Sequence, residues 1–288
     1  MARKLEFFID NSYDGKKVND FLRGEIKASH RLICKLKAEP LGITINGTHA
    51  RTVDILKSGD LFSIIIPDDD VKTSVKPMDL PLDIIYEDDD VIVINKPAML
   101  AMHESHNHQG DTLSNALCHY LLSHNKNAVF RAVGRLDKGT SGLVVCAVNK
   151  YSAARLSGKI YKEYLAIVSG IYEGEGPIDA PIYRPDPIIT VRTVSPLGEK
   201  AITHRKSIKN DGENTLLRIH LETGRTHQIR VHFAHLKTPL IGDTMYGQKD
   251  ERICHQALHC CFCRFKHPVS GEIIECSADM PMDMKNII

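Results

Sequence analysis

The chain has 288 residues, 42% of them apolar and 25% charged, which excludes global disorder and makes two domains the starting expectation. Its formal net charge of +1 announces no polyanionic partner by its total, so the clustering of cations has to be read instead. MARKLEFFID breaks at Asp10, too early for a signal-peptide core, and no later stretch approaches roughly eighteen unbroken apolar residues, so the chain is read as cytoplasmic with no membrane association. Its eight cysteines are then read as reduced, small buried residues first and metal ligands second. In chain order, Val18, Phe21, Leu22 and Ile26 have the spacing of a helix with a buried stripe. Ser29 is placed to cap a second helix, with Leu32, Ile33 and Leu36 on one arc and the cations Arg31 and Lys35 on the side away from it. Ile43, Ile45, the Asn46-Gly47 turn and GDLFSIIIP at 59–67 supply strands.

Helix, basic face, ITINGTHA hairpin and closing GDLFSI come in an order that resembles the small αL RNA-binding domain first described in a ribosomal small-subunit protein. On charge pattern alone, Arg31 and Lys35 would be a solvated helix face; the hairpin and closing strand turn the reading toward RNA. Residues 1–70 are expected to form this unit. The polar, proline-interrupted PDDDVKTSVKPMDLP follows, with the linker set at 71–81 and a second domain at 82–288.

Strands dominate from residue 82. LDIIY and VIVIN flank the acidic turn EDDD at 87–90, and GLVVCAV, KEYLAIV and LLRIHLE are further strands. Leu113, Ala116, Leu117, Tyr120 and Leu121 follow helical spacing behind Asp111 and Thr112, and Ile229, Phe233 and Leu236 mark another helix. The fold class is α+β, a mixed or antiparallel sheet with a small N-terminal α+β domain.

Several motifs fail on inspection. GTSGL at 139–143 lacks the last glycine of a nucleophile elbow, and no dinucleotide or phosphate loop is present. His103, His106 and His108 beside Glu104 lack a second ligand group, so a polar loop is the reading there. Cys254, Cys260, Cys261, Cys263 and His267 lack paired knuckles, and in a strand Cys261 and Cys263 would point to the same side. No metal is expected.

The informative segment is RAVGRLDKGTSGLVVCAVN at 131–149, which sets Asp137 between Arg135 and Lys138 ahead of a turn and a hydrophobic strand. Neighbouring cations keep a carboxylate ionised, as a nucleophile or base requires. Taken alone, an aspartate so flanked is more often a surface ion pair or a turn residue. RLDKGTSGL, however, resembles the signature of the RluA-type family of pseudouridine synthases. The likeness continues through INKPAMLAMH at 94–103, KEYLAIVSG at 162–170, LETGRTHQIRVHFAHLKTPLIGDTMYG at 221–247 and QALHCCFCRFKHPVSGE at 256–272. Gly134 stands where many members have histidine, Met99 where glycine is usual and Glu104 where proline is common. These departures touch the rim and leave the reacting groups in place.

The resemblance implies an isomerase that needs no cofactor, acts on ribosomal or transfer RNA, and requires no protein partner. It implies Asp137 as the catalytic carboxylate, attacking C1′ or removing the C2′ proton. Tyr164 would be the active-site tyrosine facing the detached uracil, and Arg230 the basic residue that pairs with Asp137, through a bidentate contact. It also implies that Arg135 contacts the backbone or fills the place of an extruded nucleotide; Arg225 and His227 are polar neighbours suited to phosphate. Two rivals stand beside this reading. One is an RNA-binding protein with a synthase-like domain that has lost activity. The other is a metal-dependent deaminase, for which the H-x-E and P-C-x-x-C ligand pattern is absent.

Overall fold

In a computed structural model of the chain, residues 3–66, 75–105, 109–126 and 129–288 are described. They form two compact units, the first of residues 3–66 together with Asn125 and Lys126, the second of the remaining described residues from Val75 onward.

The first unit comprises β1 (Arg3–Phe8), α1 (Val18–Gly24), α2 (His30–Ala38), β2 (Ile43–Ile45), β3 (Thr48–His49) and β4 (Leu61–Ile66). Its sheet has the order β1-β4-β2-β3 and is antiparallel throughout. Val18, Phe21, Leu22 and Ile26 are all buried, as their spacing predicts. Phe21 meets Phe7, Tyr13 and Phe62 edge-on at centroid distances of 5.6, 4.8 and 5.1 Å, the arrangement aromatic quadrupoles favour. Ser29 Oγ accepts the Leu32 N–H at 3.2 Å and so starts α2, leaving Arg31 and Lys35 exposed while Ile33 and Leu36 are buried. Asn46 and Gly47 take φ of 51° and 79°, the left-handed pair of a tight hairpin turn, and Ile45 pairs with Thr48 across it. Strand β1 was not among the expected elements. RKLEFF is short and charged, yet Leu5 and Phe7 alternate inward against Ile64 and Phe62 of β4.

The second unit holds β5 (Ile84–Glu87), β6 (Val91–Lys96), α3 (Leu113–Ser123), β7 (Ser141–Ala147), α4 (Lys150–Leu156), β8 (Tyr161–Ser169), β9 (Glu175–Asp179), β10 (Ile182–Tyr183), β11 (Thr193–Val194), β12 (Ile202–Asn210), β13 (Asn214–Leu221), α5 (Gln228–His235), β14 (Leu258–Lys266), β15 (Ile273–Ser277) and α6 (Met282–Lys285). Its main sheet runs β5-β6-β7-β14-β8-β13-β12-β9, with β15 paired to β14 and β10–β11 a separate ribbon. All main-sheet pairings are antiparallel except β7 with β14, so the sheet is mixed. Alternation splits the apolar residues between two cores. Ala166 and Val168 of β8, and Leu217 and Ile219 of β13, join Leu113 and Leu117 of α3 and Ile229 and Phe233 of α5 on one side. Ile167 and Leu216 face Ile241, Ile253, Met284 and Ile287 on the other.

Of the expected linker, residues 71–74 lie outside the described residues. The described part is bonded to α3: Asn115 Nδ2 donates to the Lys76 carbonyl at 2.8 Å, and Met78 N–H to the Asn115 carbonyl at 3.2 Å. The parallel junction places the Asp137 loop. Gly142 has φ +104°, and a Cβ there would come within 2.2 Å of the Cys260 carbonyl oxygen, so only glycine lets β7 approach β14.

Candidate active site

Asp137 stands in the loop that leads into β7. The loop is tied back by Val133 N–H to the Val145 carbonyl at 2.7 Å and turned by Thr140 N–H to the Asp137 carbonyl at 3.0 Å. Leu136 is buried beneath it, while the Asp137 side chain keeps 29% of its surface. Thr140 Oγ accepts Gln256 Nε2 at 3.0 Å, which anchors the far side of the turn to the start of β14.

Arg230, on α5, approaches from the opposite wall. It donates from one terminal nitrogen to Asp137 Oδ2 at 3.1 Å. Its bidentate partner is a different carboxylate: Nε meets Asp243 Oδ2 at 2.7 Å and the other terminal nitrogen meets Asp243 Oδ1 at 2.8 Å. The expected fork between Arg230 and Asp137 is therefore corrected to a single bond. Asp243 is fully buried and also accepts the Met245 and Tyr246 N–H groups at 3.1 and 3.2 Å, which closes the turn and leaves its carboxylate no freedom to rotate. The Tyr246 ring lies 5.1 Å from the guanidinium, a cation–π distance. Burial weighs against the charge on Arg230, yet the bonds from Asp243 and then Asp137 hold its pKa above the ordinary arginine value.

His227 begins α5 in a left-handed conformation, φ 57°, which turns its ring toward Asp137. Its Nε2 is 3.8 Å from Asp137 Oδ2, and its Nδ1 is 2.9 Å from the Tyr246 hydroxyl, whose oxygen accepts the Arg192 N–H at 2.9 Å. The tautomer with its proton on Nε2 serves both neighbours, since it turns a donor toward the Asp137 carboxyl and leaves Nδ1 to accept the Tyr246 hydroxyl proton. Burial lowers the His227 pKa, Asp137 opposes this, and Arg230 and Arg192 lower it further, so the ring is neutral at neutral pH.

Tyr164, on β8, is 7% exposed and lines the same pocket as Asp137, Arg135, Arg225, His227 and Arg230. Burial, then the Cys260 thiol and Asp137, raise its pKa well above the usual phenol value and keep the hydroxyl protonated. Arg135 is exposed at the rim. Arg225 is exposed too but already engaged, by an ion pair with Glu199 and a 3.1 Å bond from Nε to the Lys200 carbonyl. Arg31 and Lys35 belong to the first unit.

Three residues of the second unit that sequence reasoning left without a role complete this wall. Asp243 and Tyr246 have been described. The third is Lys96, fully buried, whose ammonium donates to the carbonyls of Pro97, Leu100 and Lys138 at 2.8, 2.9 and 3.2 Å and so ties the 97–100 turn to the residue after Asp137. Burial pushes its pKa down to about 7 against the pull of Asp137. All three lie in segments that carry the family resemblance, INKPA and LIGDTMYG; no spacing rule marks them otherwise.

The metal-like clusters resolve into other uses. His106 and His108 lie outside the described residues; His103 packs edge-on against Phe130 at 4.8 Å, and Glu104 accepts Asn115 Nδ2 at 2.7 Å. Cys260 and Cys263 share the large core because a bulge between Cys260 and Phe262 changes the alternation, so Cys261 does not join Cys263 as simple strand geometry predicts. Among the described residues, Asp88, Asp90 and His267 hold ligand atoms within 4.8 Å of one another. His267 Nδ1, however, accepts the Ser270 N–H at 3.0 Å, which puts the proton of the neutral ring on Nε2, 2.9 Å from Asp88, with no lone pair left for a cation. Among the described residues no helix is long and apolar enough to cross a membrane.

Residues 90–235 match the family model for RNA pseudouridylate synthase. The chain is 38% identical over 272 residues to Uncharacterized RNA pseudouridine synthase YjbO of Bacillus subtilis, an alignment that covers 92% of this chain and 96% of that protein. It is 42% identical over 225 residues to Ribosomal large subunit pseudouridine synthase D of Vibrio cholerae, covering 72% and 69% respectively. Among solved structures, Human RNA Pseudouridylate Synthase Domain Containing 1 superposes with a TM-score of 0.56 at 26% identity, covering 69% of this chain and 84% of that one. With a matched family model over half its length and a relative aligned almost end to end, the chain belongs to the RNA pseudouridine synthases of the RluA type and is an isomerase.

Proposed function

We propose that this chain converts particular uridines of structured RNA to pseudouridine, with ribosomal RNA as the favoured substrate and transfer RNA second, and that Asp137 is the group that acts on the sugar. The observation that carries this is the asymmetry at Arg230: its fork is consumed by buried Asp243, so its remaining nitrogen holds a carboxylate that substrate can still reach. Asp137 has two routes, attack on C1′ as a nucleophile or removal of the C2′ proton to give a glycal; in either, the N1–C1′ bond breaks and the freed uracil turns before C5 joins C1′. The C5 proton is then lost and N1 gains one, so no electrons are exchanged and no cofactor is called for. Tyr164 offers its ring face to the detached base and a hydroxyl that burial keeps protonated, suited to hydrogen bonding rather than to acting as a phenolate. The target has to leave its helix to reach this pocket, and Arg135 at the rim is placed to meet the backbone or the vacated stack.

The first unit, residues 1–70 in this reading, is an RNA-binding domain that presents Arg31 and Lys35 on the exposed face of α2. The ribosomal preference is supported by the relatives named for the large ribosomal subunit, and in this reading the protein acts in the cytoplasm and needs no obligate protein partner. Pseudouridine mapping across total RNA in cells with and without the gene tests the reading. Loss of signal at one or a few uridines, in large-subunit ribosomal RNA first, is the expected result; an unchanged map would sink it.

A further inference from the structure

Few large apolar side chains of the described residues stand as far into solvent as Ile188 and Leu197, at 88% and 80% exposure, and both sit on one short lobe between β10 and Glu199. The reaction scheme above makes no use of this lobe.

Its root is fixed to the catalytic wall. Ile182 and Val194, paired across β10 and β11, pack with Ala201, with Val231 of α5 and with Tyr246. Ile182 and Glu199 exchange two backbone bonds, of 2.9 and 2.8 Å. Arg192 N–H donates to the same Tyr246 hydroxyl that orients His227. The lobe is thus carried by the helix and turn that hold Arg230.

Its tip is ordered by polar bonds rather than by packing. Asp186 Oδ1 accepts the Ile188 N–H at 2.7 Å, and Arg184 bonds the Pro187 carbonyl and, at 3.3 Å, the Ile189 carbonyl. The Arg192 guanidinium donates to the Thr190 carbonyl at 2.7 Å. These bonds engage the Pro187, Ile189 and Thr190 carbonyls and the Ile188 N–H and hold Ile188 outward, with Ile189 behind it at 45% exposure. An isoleucine held in water on an ordered backbone gains nothing in the free protein; its placement is explained by something that covers it. The charges of the lobe say what: with Arg225 paired to Glu199, Arg184, Arg192 and Lys200 outnumber Asp186, a balance that suits a polyanion.

We propose that Ile188, backed by Ile189, is a wedge that enters the base stack beside the target uridine and keeps the RNA open while the nucleotide occupies the Asp137 pocket. Apolar side chains driven between base steps hold nucleic acids unstacked by filling the space the stack gives up. The proposal rests on the reading of the chain as an isomerase of uridines in RNA. Lys200 and the positive field of Arg184 and Arg192, whose guanidinium groups order the tip, draw the phosphate backbone to it.

Replacing both residues, Ile188→Ser with Ile189→Ser, leaves the root of the lobe intact, and thermal melting checks that it has. The probe is total RNA extracted from cells that lack the gene, with enzyme in excess and pseudouridine formation followed over a single turnover. The expected result is a rate at the parent's target site lower by about tenfold or more, because Arg135 is left to hold the stack open without the wedge, with RNA binding near the parent's. Ile188→Leu, which keeps the apolar volume, is expected to retain the rate. An unchanged rate for the serine variant overturns the wedge, and so does weaker binding with the rate at saturation intact. Asp137→Asn in the same assay separates the two claims. If the parent modifies the RNA, Asp137→Asn does not, and the serine variant keeps pace with the parent, the wedge alone fails. If the parent modifies nothing, the wedge and the reading beneath it fail together.

Discussion

The turn that carries Asp243 and the loop that carries Asp137 present carboxylates to the same guanidinium under opposite conditions. Asp243 is fully buried and accepts four bonds, two from Arg230 and two from backbone N–H groups. Asp137 takes a single bond from Arg230 and keeps 29% of its side chain open. A carboxylate that is fully bonded cannot reorganise during a reaction, whereas one held at a single point can still turn toward a substrate. In the proposed scheme the pair divides the work: the buried member fixes the cation, and the open member is left to react.

The sharpest way to break that division is Asp243→Asn, which keeps the size and removes the charge. Breaking a buried, hydrogen-bonded ion pair costs about 3–5 kcal/mol, so thermal unfolding of the second unit is expected to drop by roughly 10 °C. A melting temperature within a degree or two of the parent's would mean that Asp243 does not fix Arg230. Tyr246→Phe is milder. It strands the Arg192 N–H and frees the His227 ring, and leaving one buried donor unmade costs about 1–3 kcal/mol. Activity is expected to fall further than stability, since the ring that faces Asp137 loses its orienting partner; equal retention of both would remove His227 from the account.

The first unit provides a control, because its cations are predicted to act on affinity alone. Arg31→Ala with Lys35→Ala should lower the slope of log affinity against log salt by about 1 to 2, at roughly 0.7–0.9 for each phosphate no longer neutralised. A slope identical to the parent's would assign RNA binding elsewhere. The smallest effect concerns pH. Burial lowers the pKa of His227, His232 and His259 below the ordinary 6.5. The unfolded chain therefore binds more protons than the folded one as pH falls through 6.5, and stability declines on the acid side of that value. Melting temperatures measured from pH 7.5 downward should begin to fall near 6.5, and a flat profile to pH 5 would contradict these assignments.

Much of this was legible in the chain, for reasons that can be named. Val18, Phe21, Leu22 and Ile26 announced α1 by spacing, Ser29 and Thr112 announced α2 and α3 by capping, and VIVIN announced β6 by unbroken hydrophobicity. Strand β12, ITHRKSIKN, gave no such signal. It is polar over most of its length and is a strand because β9 and β13 pair with it. β14 was obscured by its bulge, which breaks the period-two pattern at the cysteines. At the site, Asp137 and Arg230 are 93 residues apart, and only the family resemblance joined them in the sequence. Asp243 follows Arg230 by 13 residues in a segment with the look of a turn, and nothing in its spacing showed that it would take the fork. Pairing geometry of this kind belongs to the folded chain.

The central claim is that the open carboxylate does the chemistry, and Asp137→Asn tests it most directly. Asparagine keeps the shape and the contact to Arg230 while removing the charge, and thermal melting shows whether the second unit still folds. The measurement is pseudouridine formation in total RNA from cells that lack the gene, with the parent and the folded variant side by side. The account predicts that the parent installs pseudouridine at a defined site while the variant binds the RNA and installs none. A folded Asp137→Asn protein that modifies that site at a rate near the parent's would contradict it.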